Sequence, residues 1–200
     1  MSEAPMRLFV AHEIPPSVRV ALGEVSAHLR PLSGRGVRWT DPAGIHLTLK
    51  FIGETEPSAV EAIRGALAGI RADRPVEVAF RALGWFPTAR HPRVLWAGVE
   101  AGSGLAELAG EIERVLEPLG FARESRKFQP HLTLARFKSE QGLDALRREV
   151  ERLGVPELGR ATYCEFDLME SRLRQQGAVY TRVERFPFLA SVPAARAEER

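Results

Sequence analysis

Residues 46–52 read His-Leu-Thr-Leu-Lys-Phe-Ile, and the first four recur unchanged at His131-Leu132-Thr133-Leu134. Polar and apolar side chains alternate in both copies, which is the pattern of a strand with one buried and one polar face. The leucines define the buried face, and the other face carries His46, Thr48 and Lys50 in the first copy and His131 and Thr133 in the second. Because the chain contains only five histidines, the repeat indicates two equivalent strands that present the same pair of functional groups.

Around these two strands, apolar spacing predicts an α+β fold. Apolar residues three and four positions apart predict four helices, which cover 18–29, 58–70, 103–119 and 143–153. Further strands are predicted at 7–11, 37–39, 76–80, 83–86, 93–99, 161–169 and 179–186. One-sided strands favour antiparallel sheets with helices on a single face. The recurring order of elements also suggests an internal duplication with two similar lobes.

Composition limits the class of protein. With 200 residues, 44% of them hydrophobic and 27% charged, the chain has the profile of a globular protein rather than a disordered one. No apolar run approaches the roughly 20 residues that span a bilayer, and the first residues lack a signal-peptide core. The single cysteine, Cys164, excludes an internal disulfide. We therefore expect a cytoplasmic monomer with one domain over 1–190 and a flexible tail over 191–200.

Basic residues are concentrated near the two repeats, although the net charge is only +2. The first basic stretch contains Arg30, Arg35, Arg38 and Lys50, opposed by Asp41. The second contains Arg123, Arg126, Lys127, Arg136 and Lys138, opposed by Glu124. Two local basic stretches in a nearly neutral chain indicate a focused anion site rather than a surface that coats nucleic acid.

The paired histidines suggest acid–base chemistry. An imidazole titrates near neutral pH, so two rings at one point can act as general base and general acid. Threonine hydroxyls can donate hydrogen bonds to anionic oxygens, and nearby arginine or lysine can pair with a phosphate. The residues alone thus indicate a site for a phosphate ester, provided that the two strands meet.

The chain resembles the 2H phosphoesterase superfamily, which is named for two His-x-Thr-x motifs. Within it, the chain is most similar to the RNA 2′,3′-cyclic phosphodiesterases, also called 2′-5′ RNA ligases. The resemblance includes residues 7–11, 37–39, 46–53 and 126–136 and extends over nearly the whole sequence. It implies a bilobal α+β fold with two pseudo-symmetric antiparallel sheets, helices on the outer faces, and motif strands that face each other across a central cleft.

The resemblance also implies roles for individual residues. His46 corresponds to the proton donor and His131 to the proton acceptor, with no metal or other cofactor. Thr48 and Thr133 would hold non-bridging phosphate oxygens, and Arg136 would contact the phosphate. Arg136 follows His131 by five positions, so simple alternation sends it to the opposite face. A β-bulge in the strand, or the end of the strand, would have to bring it back.

The implied function is hydrolysis of RNA or nucleotide 2′,3′-cyclic phosphates to 2′-phosphomonoesters, with reversible 2′-5′ ligation as a further activity. The expected partner is RNA with a 2′,3′-cyclic phosphate end, or a cyclic nucleotide. Three alternatives remain open. They are a related 2H enzyme that acts on another cyclic phosphate, such as ADP-ribose 1″,2″-cyclic phosphate; a non-catalytic module that binds RNA ends or nucleotides; and a metal site built on the two histidines. A metal site is disfavoured because zinc usually has three or four protein ligands.

Other aromatic and imidazole side chains receive simpler interpretations. Phe9, Trp39 and Phe128 could stack on a base, but core packing is the expected role of each. His12, His28 and His91 match nothing catalytic, and we expect them at the surface.

Overall fold

The computed structural model describes residues 4–174 and 177–188, which contain nine strands and four α-helices. The strands are β1 (Met6–Glu13), β2 (Val37–Trp39), β3 (His46–Thr55), β4 (Val76–Pro87), β5 (Pro92–Ala101), β6 (His131–Phe137), β7 (Glu157–Tyr163), β8 (Glu165–Arg174) and β9 (Gly177–Pro187). The helices are α1 (Pro16–Leu29), α2 (Pro57–Ala68), α3 (Ser103–Leu116) and α4 (Asp144–Leu153). The tail expected over 191–200 lies outside the described residues.

The strands form two antiparallel sheets, as the sequence predicts. One sheet has the order β3-β1-β8-β9, and the other has the order β2-β6-β5-β4-β7. The first motif lies on β3, at an edge of its sheet, and the second lies on β6, next to the edge strand β2. The sheets are not successive halves of the chain, because β2 joins the sheet of the second motif while β8 and β9 return to the sheet of the first.

The helices bury their apolar stripes in a hydrophobic cluster that includes residues of both sheets. In α1 the buried stripe contains Val18, Leu22 and Leu29, and Val25 is partly buried between them, which gives the predicted spacing of three and four. Helix α1 packs against β7, α2 against β9, and α3 against both β3 and β4. Each fully buried leucine or valine contributes about 1.5–3 kcal/mol of transfer free energy, so these stripes fix the helices on the sheets.

Two predicted strand boundaries are wrong. The segment predicted as one strand over 161–169 is divided at Cys164 into β7 and β8, which belong to different sheets. The strands predicted at 76–80 and 83–86 are one strand, β4, which continues through a bulge where Ala82 has a φ of 64°. The apolar pattern continues across Cys164 and does not report the change of sheet, whereas at Ala82 the bulge interrupts the pattern without ending the strand.

His12 is buried, with 1% of its surface exposed, contrary to the surface position expected from the sequence. It lies on β1, a central strand of its sheet, where its ring stacks on Tyr163 at 4.0 Å and its Nδ1 hydrogen-bonds the Glu165 carbonyl at 2.9 Å. His28 and His91 are exposed, as expected. In the described parts of the chain, no helix has the length and apolar character needed to cross a membrane.

Candidate active site

The first motif begins β3 directly after a short turn. Leu47 and Leu49 are buried in the core, whereas His46 and Thr48 are only half-buried, so the predicted alternation is confirmed. Residues 42–44 before the strand form a 3₁₀ turn, in which the Ala43 amide donates a hydrogen bond to the Asp41 carboxylate. This turn places the carbonyl of residue 44 at 3.0 Å from the His46 ring, which it helps to orient.

The second motif has the same construction on β6. Leu132 and Leu134 are fully buried, and His131 and Thr133 are half-buried on the other face. The Nδ1 atom of His131 lies 2.8 Å from the carbonyl of Gln129, two residues earlier in the chain. The two copies of the motif therefore agree in strand pattern, in burial and in the backbone contact of the histidine.

The backbone contacts select one tautomer for both rings. A carbonyl can only accept a hydrogen bond, so the Nδ1 atoms of His46 and His131 carry the proton and donate it. The lone pair of each neutral ring is then on Nε2. Neither Nε2 atom has a hydrogen-bond partner among the described residues, so both remain available to a ligand.

Aromatic side chains hold the two rings in different surroundings. The centroid of the His46 ring lies 4.5 Å from that of Phe9, whose ring is tilted against it, and 4.8 Å from that of Tyr180, which is edge-on. The His131 ring has one such neighbour, Phe86, at 4.9 Å and nearly perpendicular. Tyr180 and Phe86 were not identified from the sequence, because they lie on other strands and no local motif marks them.

Burial shifts the titration of both histidines. Desolvation lowers the pKa of His46 to about 4. Desolvation also lowers the pKa of His131, and the nearby positive charge of Arg136 acts in the same direction. Both rings are therefore neutral at pH 7 in the unliganded protein, and a protonated ring requires a negative charge beside it.

A bulge places Arg136 on the face of the second motif. On β5, Trp96 pairs with Thr133 and Val94 pairs with Arg136. One residue separates the two partners on β5, whereas two residues separate Thr133 from Arg136 on β6. The extra residue reverses the alternation, so Arg136 points to the same side as Thr133 and His131. The bulge considered in the sequence analysis is thus present.

A bulge at the matching position in β3 turns Lys50 away from the motif face. Val10 pairs with Lys50 and Ala11 with Thr48, which leaves one extra residue on β3 between them. Lys50 is buried, and its ammonium group donates hydrogen bonds to Glu113 and to the Ala122 carbonyl, both at 2.6 Å. The prediction that Lys50 shares the polar face and contributes to an anion site is therefore wrong, since its charge is neutralised in the interior.

Of the three aromatic residues considered as base-stacking groups, Phe9 has its ring against a motif histidine, His46. Trp39 and Phe128 pack against the main core, and Trp39 donates a hydrogen bond to the Ser33 hydroxyl. Phe51, two-thirds exposed at 67%, lies near Phe9 with ring centroids 6.2 Å apart. Exposed aromatic surface next to the first motif therefore comes from β3 itself.

The two motif strands are neighbours although they belong to different sheets, because residues of β3 and β6 approach within 8 Å between Cα atoms. Two surface cavities, of about 460 and 290 Å³, are lined by other residues. The motifs therefore lie outside both of these cavities. Across residues 4–174 and 177–188, no group of three or more His, Cys, Asp and Glu side chains is arranged to bind a metal.

Comparison with known proteins identifies relatives over most of the chain. A family model described as the 2′-5′ RNA ligase superfamily matches residues 10–174. An RNA 2′,3′-cyclic phosphodiesterase of Aeropyrum pernix is 39% identical over 150 residues, which are 74% of this chain and 84% of that protein. Another, from Methanothermobacter thermautotrophicus, is 29% identical over 182 residues, which are 90% of this chain and 98% of that protein.

Solved structures agree with these sequence matches. The crystal structure of TT0787 of Thermus thermophilus has a TM-score of 0.76 and 31% identity, covering 92% of this chain and 98% of that chain. Escherichia coli LigT complexed with NADP+ has a TM-score of 0.71 and 26% identity, covering 94% of this chain and all of that chain, 100%. On these grounds the chain belongs to the 2′-5′ RNA ligase superfamily.

Proposed function

We propose that the protein hydrolyses 2′,3′-cyclic phosphates at the ends of RNA, or in cyclic nucleotides, to 2′-phosphomonoesters. The observation that carries this proposal is the pair of matched histidines on neighbouring strands, each with Nδ1–H bound to a backbone carbonyl and with Nε2 unpartnered within the described residues. Relatives named RNA 2′,3′-cyclic phosphodiesterase support the choice of substrate. The proposal places His46 and His131 on opposite sides of one bound phosphate.

In the proposed reaction, water attacks phosphorus while neutral His131 accepts a proton from it at Nε2. The bond between phosphorus and the 3′ oxygen breaks, and protonated His46 donates its proton to that oxygen. A new bond joins the water oxygen to phosphorus, and the product carries the phosphate on the 2′ oxygen. Each positioned acid or base contributes roughly 10² to 10⁴ in rate.

The proton on His46 comes with the substrate in this mechanism. The pKa of the ring is about 4 in the unliganded protein because the ring is desolvated. An anionic cyclic phosphate beside Nε2 favours the imidazolium and raises that pKa. The substrate thus creates the acid that its own hydrolysis requires, and His46 without substrate stays neutral.

Thr48, Thr133 and Arg136 complete the proposed site. The two hydroxyls lie on the same faces as the histidines and make no hydrogen bond within the described residues, so they can donate to the non-bridging oxygens. Arg136, turned to that face by the bulge, supplies a positive charge for the developing negative charge. An RNA 5′-hydroxyl that attacks phosphorus in place of water would form a 2′-5′ bond as the bond from phosphorus to the 3′ oxygen breaks, with the same two imidazoles accepting and donating the protons.

Product analysis on an oligonucleotide with a 2′,3′-cyclic phosphate end tests this function. We expect monomeric protein, in the presence of excess EDTA, to convert the cyclic end to a 2′-phosphate and to form no 3′-phosphate. Ligand that binds but remains unchanged would instead identify a binding module. Turnover of ADP-ribose 1″,2″-cyclic phosphate without turnover of the RNA would identify a related enzyme with another substrate.

A further inference from the structure

A second arginine, Arg38, lies directly beside Arg136. Arg38 is the central residue of β2, and the register of the sheet pairs it with Arg136 on β6. Directly opposite residues of an antiparallel pair point to the same side of the sheet, with Cα atoms about 5 Å apart. Arg38 therefore shares the face that carries Arg136, Thr133 and His131.

Among the residues that the structure describes, no acidic side chain pairs with these two like charges. Both arginines are exposed. Within residues 4–174 and 177–188, neither arginine forms an ion pair or a side-chain hydrogen bond, whereas Arg185 on the other sheet contacts the carboxylates of Asp167, Glu165 and Glu13. Like charges at directly opposite positions destabilise a sheet. An anion bound between or beside them would remove that cost.

The reacting phosphate accounts for only one of these two charges. In the proposed function, Arg136 faces the cyclic phosphate together with the threonines. Arg38 lies one strand further out, at the edge of the sheet, so a ligand must carry a second negative group to reach it. In a nucleotide with a 2′,3′-cyclic phosphate, the nearest further negative group is a phosphate on the 5′ oxygen of the same ribose. The base and the sugar are uncharged.

We propose that Arg38 forms, beside Arg136, a second anion site that binds the 5′-phosphate of the nucleotide whose cyclic phosphate reacts. The inference rests on the proposed function for the identity of the ligand. It makes Arg38 a specificity residue that distinguishes the end of an RNA chain from a cyclic nucleoside phosphate. A phosphate contact of this kind positions the chain without reading its sequence.

Binding of two stable product analogues tests the proposal without requiring turnover. Adenosine 2′-phosphate carries one phosphate, and adenosine 2′,5′-bisphosphate carries the additional 5′ group. We expect calorimetry at low salt to give the bisphosphate a Kd about tenfold lower in the wild type, as for one charge-assisted contact. In Arg38→Gln we expect this ratio of Kd values to approach one. Arg38→Lys retains the charge and should retain most of the ratio.

Arg35→Gln is the matched control, because Arg35 is an exposed residue of the same basic stretch but lies in the loop before β2. It removes one positive charge and should leave the ratio unchanged. An unchanged ratio in Arg38→Gln, or an equal loss in Arg35→Gln, would overturn the proposal. Thermal unfolding of each variant verifies that it is folded.

Kinetics separate this inference from the proposed function. Three substrates are compared by kcat/KM: adenosine 2′,3′-cyclic phosphate, the same nucleotide with a 5′-phosphate, and a dinucleotide with a cyclic end. The preference for each of the latter two over the first should decrease in Arg38→Gln as the Kd ratio does. If the wild type hydrolyses none of these substrates, the proposed function fails while the binding ratio still decides the role of Arg38. If all three are hydrolysed and Arg38→Gln changes no ratio, the function stands and the anion site does not.

Discussion

At the scale of single residues, His46 and His131 make the same backbone hydrogen bond in different surroundings. His46 has two aromatic neighbours, Phe9 and Tyr180, whereas His131 has Phe86 and the positive charge of Arg136 nearby. Both environments disfavour the imidazolium. The negative charge of a bound phosphate is therefore what would allow one ring to become the acid.

Binding of adenosine 2′-phosphate should consequently take up protons. Because the pKa of His46 rises from about 4 on binding, affinity should increase as pH falls from 7 towards 5. Calorimetry in two buffers with different ionisation enthalpies measures the number of protons taken up. The uptake should be lost in His46→Ala and retained in His131→Ala. Binding without proton uptake across this pH range would contradict the assignment of His46 as the acid.

His12 gives a pH dependence of stability that is independent of the site. Burial lowers its pKa from 6.5 to about 4, so the unfolded chain binds a proton between these values and the folded chain does not. The free energy of unfolding is therefore highest above pH 6.5 and decreases by about 3 kcal/mol as the pH falls towards 4.

The free energy of unfolding of the wild type and His12→Asn, measured by urea denaturation at pH 7 and pH 4.5, tests this dependence. His12→Asn should lower the stability at pH 7 but lose less on acidification than the wild type. Equal losses in both proteins would show that His12 is not the group responsible.

At the scale of elements, the two motif strands share a bulge at the same position after the threonine. The sequence pattern predicts both strands, because alternation through the leucines is unbroken up to the bulge. It does not predict the bulge itself, since the residues at the extra position are ordinary leucines. After the bulge, the residue five positions beyond each histidine returns to the motif face, which places Phe51 and Arg136 at equivalent positions.

The rate of cyclic-phosphate hydrolysis should depend on the side chain of Arg136 and not on that of Arg93. Arg93 is exposed and directly precedes the β5 partner of Arg136, but it lies at a bulge between β4 and β5 and has no partner in the register of β5 with β6. Arg136→Gln should lower kcat for cyclic-phosphate hydrolysis by about 10², whereas Arg93→Gln should stay within a factor of two. Equal decreases of kcat in the two variants would mean that kcat depends on the net charge of the protein and not on the position that the bulge gives to Arg136.

Lys50 links the first motif strand to the segment that leads into the second. Its ammonium group binds Glu113 on α3 and the carbonyl of Ala122. Removal of one partner from a buried ion pair leaves the other charge uncompensated, so Lys50→Met should cost about 3 kcal/mol in the free energy of unfolding. The double variant Lys50→Met/Glu113→Leu should recover part of that loss. Additive losses in urea denaturation would argue against a coupled buried pair.

At the scale of the whole molecule, strands of the two sheets alternate along the chain, so neither sheet is built from one continuous half of the sequence. The sequence predicts antiparallel sheets and helices correctly, because period-two and helical spacings are local. It does not predict that β2 joins β6 or that β8 pairs with β1, since sheet membership depends on contacts between distant segments. Tyr180 was missed for this reason, as it reaches His46 only through the β8–β9 hairpin.

The interleaved sheets bring β3 and β6 together, and the proposed chemistry requires that His46 and His131 act on one phosphate as a unit. Single-turnover rates on a cyclic-phosphate RNA for the wild type, His46→Ala, His131→Ala and the double variant measure this directly. Each single variant should lose at least about 10² in rate, and the double variant should be little slower than the slower single variant. A single variant with the wild-type rate, or a double variant whose loss is the product of the two single losses, would show that the histidines do not form one active site.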